Sequence, residues 1–82
     1  MLYLITGVAG FIGAKTAQFA LDNGVKIIGI DNINNYYSPI IKIHRLEELK
    51  KYQNFTFIKG DIEDKVILET IFKSNKIDAV IN

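Results

Sequence analysis

Four short apolar runs alternate with amphipathic segments along the chain. The runs are residues 2–5 (LYLI), 26–30 (KIIGI), 55–58 (FTFI) and 77–81 (IDAVI). Apolar runs of four or five residues that are rich in β-branched side chains and bounded by polar residues or glycine are typical of strands buried in a parallel sheet. We therefore predict four β-strands.

A helix is predicted in each of the three intervals between these strands. The apolar positions of each interval suit a helix that packs one face on a sheet, and residues that start or stop helices lie at the ends. The first predicted helix runs from Phe11 to about Leu21 and is stopped by Asn23-Gly24. The second runs from Pro39, with Ser38 as its N-cap, to about Lys51. The third follows an N-cap at Asp64.

The predicted order is therefore βαβαβαβ. Strands that alternate with helices favour an α/β fold with a parallel sheet, because each crossover helix covers a face of the sheet. The expected architecture is the first half of a Rossmann-type doubly wound sheet with strand order 3-2-1-4. The whole chain, residues 1–82, is predicted to be the N-terminal part of one such domain, with no substrate domain.

Composition and charge exclude several functions. The chain has 82 residues, 49% of them hydrophobic, and a formal net charge of +1. It carries no basic excess and no long apolar run, so we expect neither nucleic acid nor a membrane as a partner. It has no cysteine and one histidine, His44, so we expect no metal site. The default localisation for such a chain is cytoplasmic.

Three glycines recur at intervals of three in the stretch TGVAGFIG, residues 6–13. This stretch joins the first predicted strand to the first predicted helix. The N–H groups of such a turn are expected to face outward, and the helix adds the positive end of its dipole, so a phosphate or pyrophosphate can bind there. We assign Gly7 to the tight turn, Gly10 to the close approach of the ligand, and Gly13 to packing of the helix on the strand.

Asp31 ends the second predicted strand, 18 positions after Gly13. In a sheet of this kind a carboxylate there can accept hydrogen bonds from the diol of a ribose. Three packing glycines and a loop-capping aspartate would give the same pattern, and the spacing GxxGxxG departs from GxGxxG. The succession of strand, glycine turn, helix and acid nevertheless favours a nucleotide-binding site.

Three segments resemble the extended short-chain dehydrogenases/reductases, the NAD-dependent epimerase/dehydratase family. TGVAGFIG resembles their TGxxGFIG signature, and KGDIED at 59–64 resembles their GDIxD. DNINNYYSPIIKIHRLEEL at 31–49 resembles the DNxNxYYxPxxKxxR pattern of UDP-glucuronate 4-epimerase-like nucleotide-sugar epimerases. The resemblance implies NAD as cofactor, a nucleotide sugar as substrate, and transient oxidation of the sugar at C4.

The resemblance also implies which residues contact NAD. The residues that contact the pyrophosphate are Gly7, Gly10, Phe11, Ile12 and Gly13. Those around the adenosine ribose are Asp31, Asn32 and Asn35. Asp61 faces the adenine amino group, and Ile62 packs against the adenine ring. Without the resemblance, Asp61 would equally be a turn residue. Lys42 and Arg45 share one face of the second helix and could approach phosphate, although solvated helix charges are commoner.

No catalytic residue is expected within the chain. The family's acid/base is the tyrosine of a Tyr-x-x-x-Lys pair, and none of the four tyrosines has a lysine four positions later. We therefore expect the chain alone to be inactive, as the front portion of a longer enzyme. Two alternatives stay open, a non-catalytic nucleotide-binding or sensor module and a dehydratase or reductase of the same family.

The last predicted strand is expected to promote self-association. In the order 3-2-1-4 it lies at the edge of the sheet, where its unpaired N–H and C=O groups can pair with another chain. Ala79, Val80 and Ile81 are apolar, and only Asp78 carries a charge. We expect a homo-oligomer that associates through residues 77–82.

Overall fold

The computed structural model describes residues 1–33 and 39–82. The predicted alternation of strands and helices is confirmed. The elements are β1 (Leu2–Thr6), α1 (Phe11–Asp22), β2 (Lys26–Asp31), α2 (Pro39–Leu49), β3 (Phe55–Lys59), α3 (Lys65–Ser74) and β4 (Ala79–Ile81).

The four strands form one parallel sheet in the order β3-β2-β1-β4, as predicted. β1 is central, with Leu4 opposite Ile28 of β2 and opposite Val80 of β4. The carboxyl ends of β1 and β2 therefore lie side by side, with Thr6 opposite Ile30. The turns that follow these strands open on the same edge of the sheet.

Alternating side chains of the strands supply two apolar layers. Ile5 and Ile27 pack with α1 and α2, whereas Leu4, Ile28 and Ile30 pack with Ile71 of α3. Because neighbouring residues of a strand point to opposite faces, the runs must be apolar throughout to satisfy both layers. Helices α1 and α2 thus share one face of the sheet, and α3 covers the other.

The helix boundaries follow the predicted signals. The Asp64 carboxylate accepts hydrogen bonds from the N–H groups of Val66 at 3.0 Å and Ile67 at 3.2 Å, so it caps α3 as expected. Helix α1 ends at Asn23-Gly24, where Gly24 has a φ of +82°. Helix α2 begins at Pro39 as predicted and ends two residues short of Lys51. The predicted N-cap Ser38 lies outside the described residues.

β4 is shorter than the predicted strand. It begins at Ala79 rather than Ile77, because the Asp78 side chain replaces a ladder hydrogen bond. The carboxylate of Asp78 accepts the Leu2 N–H at 2.8 Å, while the Asp78 N–H donates to the Leu2 carbonyl at 2.8 Å. The periodicity of the sequence does not predict a hydrogen bond between a side chain and the backbone at the start of a strand.

Candidate functional site

A cleft of about 240 Å³ opens beyond the carboxyl ends of β1, β2 and β3. In open α/β sheets the crevice outside the carboxyl ends of the strands is the usual place for a ligand. Five of the ten predicted site residues line the cleft: Gly7, Asp31, Asn32, Asp61 and Ile62. Four others, Gly10, Phe11, Ile12 and Gly13, form the turn and the start of α1 beside it. Asn35 lies outside the described residues.

The glycine turn needs two of its glycines for steric reasons. Gly7 has a φ of +65°, a left-handed conformation that other residues adopt at a cost. A Cβ on Gly13 would lie 2.3 Å from the Gly7 carbonyl oxygen and 3.1 Å from Val8 Cα. Helix α1 can therefore approach the end of β1 only with glycine at position 13, which agrees with the packing role assigned to it.

The N–H groups of the turn itself are not available to a ligand, contrary to the expectation that they face outward. Val8 N–H donates to the Ile30 carbonyl at 3.3 Å, and Gly10 N–H donates to the Gly7 carbonyl at 3.0 Å. The N–H of Ala9, between them, donates to the carboxylate of Asp31 at 3.0 Å. The sequence pattern identifies the turn and does not reveal that the fold uses these donors internally.

The N–H groups that face outward lie after the turn, at the start of α1. The first N–H groups of an α-helix have no acceptor within the helix. Here the helical ladder begins with Ala14 N–H to the Gly10 carbonyl, at 2.9 Å. Over the described part of the chain, no side chain caps α1, and its first turn has no acidic residue. Phe11, Ile12 and Gly13 thus present N–H groups at the positive end of the helix dipole.

Asp31 is more deeply buried than a residue that binds a ribose from the solvent-facing side would be. It is 6% exposed, and its carboxylate holds three donors from the protein. Oδ2 accepts the Ala9 N–H, while Oδ1 accepts the Ile33 N–H at 2.8 Å and a hydrogen bond from Lys42 Nζ at 3.3 Å. A carboxylate offers about four lone-pair positions. With respect to donors in residues 1–33 and 39–82, one position, on Oδ2, is left for a further donor.

Lys42 was not recognised as part of the site by sequence reasoning, which favoured a solvated charge. It is 6% exposed, lines the cleft and forms an ion pair with Asp31. A buried carboxylate needs a counter-charge, since an isolated charge is costly to remove from water. The available signal was the DNxNxYYxPxxKxxR pattern, whose lysine falls on position 42.

Arg45 lies three positions after Lys42, on the same face of α2. Its Nη1 donates to the Ala9 carbonyl at 3.1 Å, and its guanidinium carbon lies 5.7 Å from the centre of the Phe11 ring. Arg45 is half-buried between α2 and the glycine turn. It is therefore not the solvated helix charge that the spacing favoured.

Asp61 and Ile62 form the far wall of the cleft, after β3. Both are exposed, with Ile62 at 48%. Asp61 Oδ1 accepts the Glu63 N–H at 3.1 Å, so this residue stabilises its own turn while it faces the cleft. The turn role and the site role, which were alternatives in the sequence, are compatible in the structure.

A larger groove of about 540 Å³ runs between α1 and α2, on the outer face of that layer. Phe11, Ala14 and Leu49 give it an apolar floor, and Tyr52 lies at one end. The Tyr52 hydroxyl donates to the Asp22 carboxylate, and this hydrogen bond raises the pKa of Tyr52 above its ordinary value of 10.0. The groove lies away from the carboxyl edge of the sheet and contains no predicted site residue except Phe11.

Residues 1–33 and 39–82 offer neither a candidate metal site nor a candidate membrane-spanning helix. Those residues contain no group of three or more His, Cys, Asp or Glu side chains that could hold a metal ion. None of the helices that they form is long and apolar enough to cross a bilayer.

Comparison with known proteins agrees with the fold. UDP-glucuronate 4-epimerase from Thermodesulfobacterium geofontis is 48% identical over 80 residues, which are 98% of this chain and 25% of that enzyme. The structure of UDP-glucuronic acid 4-epimerase from Bacillus cereus in complex with NAD superposes with a TM-score of 0.84 at 31% identity. The match covers 98% of this chain and 26% of that one.

A dehydratase matches equally well. The structure of dTDP-glucose 4,6-dehydratase from Bacillus anthracis in complex with NAD has a TM-score of 0.84 at 27% identity, over 98% of this chain and 25% of that one. The chain thus spans about a quarter of the length of the relatives that it matches. The model of the family described as GDP-mannose 4,6 dehydratase matches residues 4–82. The chain therefore belongs to this family of nucleotide-sugar epimerases and dehydratases.

Proposed function

We propose that this chain forms the part of a nucleotide-sugar 4-epimerase that binds the adenosine and pyrophosphate of NAD. The observation that carries the proposal is the start of α1, which no side chain of the described residues caps and which adjoins a cleft walled by Asp31 and Asp61. An uncapped helix start offers donors and positive potential to an anion. The cleft next to it offers carboxylate acceptors to a ribose and an adenine.

The pyrophosphate would accept hydrogen bonds from the N–H groups of Phe11, Ile12 and Gly13. Gly7 lies next to these donors, and a Cβ placed on it would meet no atom within 4 Å. The space above the turn is therefore open for a phosphate oxygen. Gly10 places no side chain directly before Phe11, so the phosphates can approach the helix end closely.

The adenosine would lie across the cleft. Asp31 would accept one ribose hydroxyl through the remaining position on Oδ2, and Asn32 and Asn35 would complete the ribose contacts. Asp61 would face the adenine amino group through Oδ2, because Oδ1 holds the Glu63 N–H. Ile62, half-exposed at the cleft wall, would pack against the adenine ring.

In the whole enzyme, NAD supplies reversible hydride transfer at C4 of the sugar, and UDP-glucuronate or UDP-glucose is the proposed substrate class. The residues of this chain bind and orient the cofactor. None of them is proposed to move a proton on the sugar, since no Tyr-x-x-x-Lys pair is present. We therefore expect no turnover of a UDP-sugar by the 82-residue chain alone.

A dehydratase is the second candidate. The family model is named for GDP-mannose 4,6 dehydratase, and the dTDP-glucose dehydratase matches with the same TM-score as the epimerase. Both of those structures hold NAD, so the residues of this chain would bind the cofactor in the same way in either enzyme.

Isothermal titration calorimetry with NAD and NADP tests the proposal. The Asp31 charge disfavours a 2′-phosphate, because like charges about 4 Å apart repel by about 4 kcal/mol at an effective dielectric constant near 20. Lys42 offsets part of this repulsion, so we expect NAD to bind more tightly by about tenfold, or 1.4 kcal/mol.

Asp31→Asn should remove the preference, because it leaves the Lys42 charge to face the phosphate. Glu69→Gln, on the exposed surface of α3, is the matched control and should retain the parent's preference. NADP binding as tight as NAD to the parent protein would refute the assignment of Asp31 to the ribose.

We also propose that the chain associates through its β4 edge. β4 pairs with β1 on one side, and no other described strand covers its outer edge. Val80, in its centre, is 48% exposed. Such an edge can pair with the same strand of another copy.

A further inference from the structure

The buried residue Ala9, in the middle of the glycine turn, is held on both sides of its backbone by side chains. Its N–H donates to Asp31 Oδ2 at 3.0 Å, and its carbonyl accepts a hydrogen bond from Arg45 Nη1 at 3.1 Å. Ala9 is 0% exposed. Two successive peptide groups, 8–9 and 9–10, are therefore each bonded to a side chain from outside the turn.

Both of these contacts depend on α2. Arg45 belongs to α2 itself, and Asp31 is paired with Lys42, which lies one helical turn earlier on the same face. Lys42 and Arg45 are separated by three positions, so they project side by side from α2 toward the turn. The guanidinium of Arg45 also lies over the ring of Phe11, the first residue of α1.

Hydrogen bonds from the Val8 N–H to the Ile30 carbonyl and from the Gly10 N–H to the Gly7 carbonyl restrain the ends of the turn, and the peptide groups at Ala9 are held from outside it. Glycine on each side of the Val8-Ala9 pair leaves the backbone able to adopt several conformations. The N–H groups of Phe11 and Ile12 follow Gly10 directly, so their direction depends on the peptide groups at Ala9. A hydrogen bond from a charged donor is stronger than one between neutral groups, and a partly buried guanidinium retains that strength.

We propose that Arg45 is a positioning residue for cofactor binding. It holds the peptide group between Ala9 and Gly10 so that the start of α1 faces the pyrophosphate, without touching the cofactor itself. The inference rests on the proposed function. It assigns to α2 a role in pyrophosphate affinity that is separate from the ribose role of Asp31.

The test compares NAD with adenosine, which lacks both the pyrophosphate and the nicotinamide riboside attached to it, by calorimetry on the purified protein. Arg45→Met retains a long apolar side chain over Phe11 and removes the charge and the donor. We expect this variant to bind NAD about tenfold more weakly than the parent, as expected for loss of one charged hydrogen bond. Adenosine affinity should change less than about twofold, since adenosine makes no contact with the start of α1.

Two further variants separate positioning from general stability. Arg45→Lys keeps a charged donor and should restore part of the NAD affinity. Lys50→Met is the matched control, because Lys50, directly after α2, also lies over an aromatic ring, with Nζ 5.5 Å from the centre of Phe57. It should bind both ligands like the parent.

Equal losses for NAD and adenosine in Arg45→Met would overturn the inference, as would unchanged NAD affinity or an Arg45→Lys variant as weak as Arg45→Met. Each of these results is obtained with a parent protein that binds NAD, so the proposed function would stand. A parent protein that does not bind NAD would overturn the proposed function and this inference with it.

Discussion

Replacing Gly13 by alanine should destabilise the chain, although alanine is the better helix former. Gly13 is the third residue of α1, where Gly→Ala in an unobstructed helix would stabilise by about 1 kcal/mol. The added Cβ would lie 2.3 Å from the Gly7 carbonyl oxygen and 3.0 Å from its carbonyl carbon. Both atoms belong to the backbone, so no side chain can rotate away to relieve the contact.

The magnitude follows from the displacement that is required. The 2.3 Å separation is about 1 Å short of ordinary van der Waals contact, so the turn or the start of α1 must move by a comparable distance. Overpacking of this kind costs about 1–3 kcal/mol, and a rigid backbone neighbour places Gly13→Ala at the upper end. After the gain in helix propensity we expect a net loss of about 2 kcal/mol in the free energy of unfolding.

Urea denaturation followed by far-ultraviolet circular dichroism measures this loss. Gly10→Ala provides a graded comparison, because its Cβ would lie 3.2 Å from the same Gly7 oxygen and requires a much smaller shift. Lys15→Ala, two positions further along α1 and exposed, is the control and should change stability by less than about 0.5 kcal/mol. A Gly13→Ala variant as stable as the parent would refute the steric account of the turn.

Three further predictions concern the rest of the chain. Asp64→Ala should lower the free energy of unfolding by about 1 kcal/mol, because the α3 cap is lost. Asp64→Asn keeps an acceptor and should cost less stability, so equal losses in the two variants would contradict the capping role. One tyrosine should ionise above pH 10 in a spectrophotometric titration of the folded chain and lose this shift in Asp22→Ala, which removes both the acceptor and the charge. Because the folded pKa of Tyr52 is raised, the associated stability is present below pH 10.0 and is lost as the pH rises through the folded value; a titration unchanged by Asp22→Ala would disprove the contact. The chain should self-associate in light-scattering measurements, and Val80→Lys should reduce this by charging the β4 edge; a monomeric parent at high concentration would rule the edge contact out.

The sheet and its order were predictable from the sequence because they depend on local patterns. Apolar runs that end at Thr6-Gly7 and at Asp31 specify buried parallel strands, and a βαβ succession allows few topologies. The cap at Asp64 and the stop at Gly24 were predictable for the same reason, since each acts on its own neighbours. The start of β4 was not, because Asp78 pairs with Leu2, 76 positions away.

The candidate site was predictable in its residue types and not in its hydrogen bonds. The sequence locates Gly7 and Gly13 at the turn, and the conformations there require glycine. It does not show that Asp31 holds the Ala9 N–H, or that Lys42 neutralises Asp31. These contacts depend on how α2 returns over the sheet, which follows from packing across several elements.

Backbone amide chemical shifts, recorded while NAD is added to the isotopically labelled protein, test the central claim most directly. We predict that the largest changes occur at the N–H groups of Phe11, Ile12 and Gly13, with a second group at Asn32 and at Asp61-Ile62. Residues of the outer groove that are remote from the turn, such as Glu48 and Lys51, should change little. Changes confined to that groove, or none at a saturating concentration of NAD, would contradict the assignment of the carboxyl-edge cleft as the cofactor site.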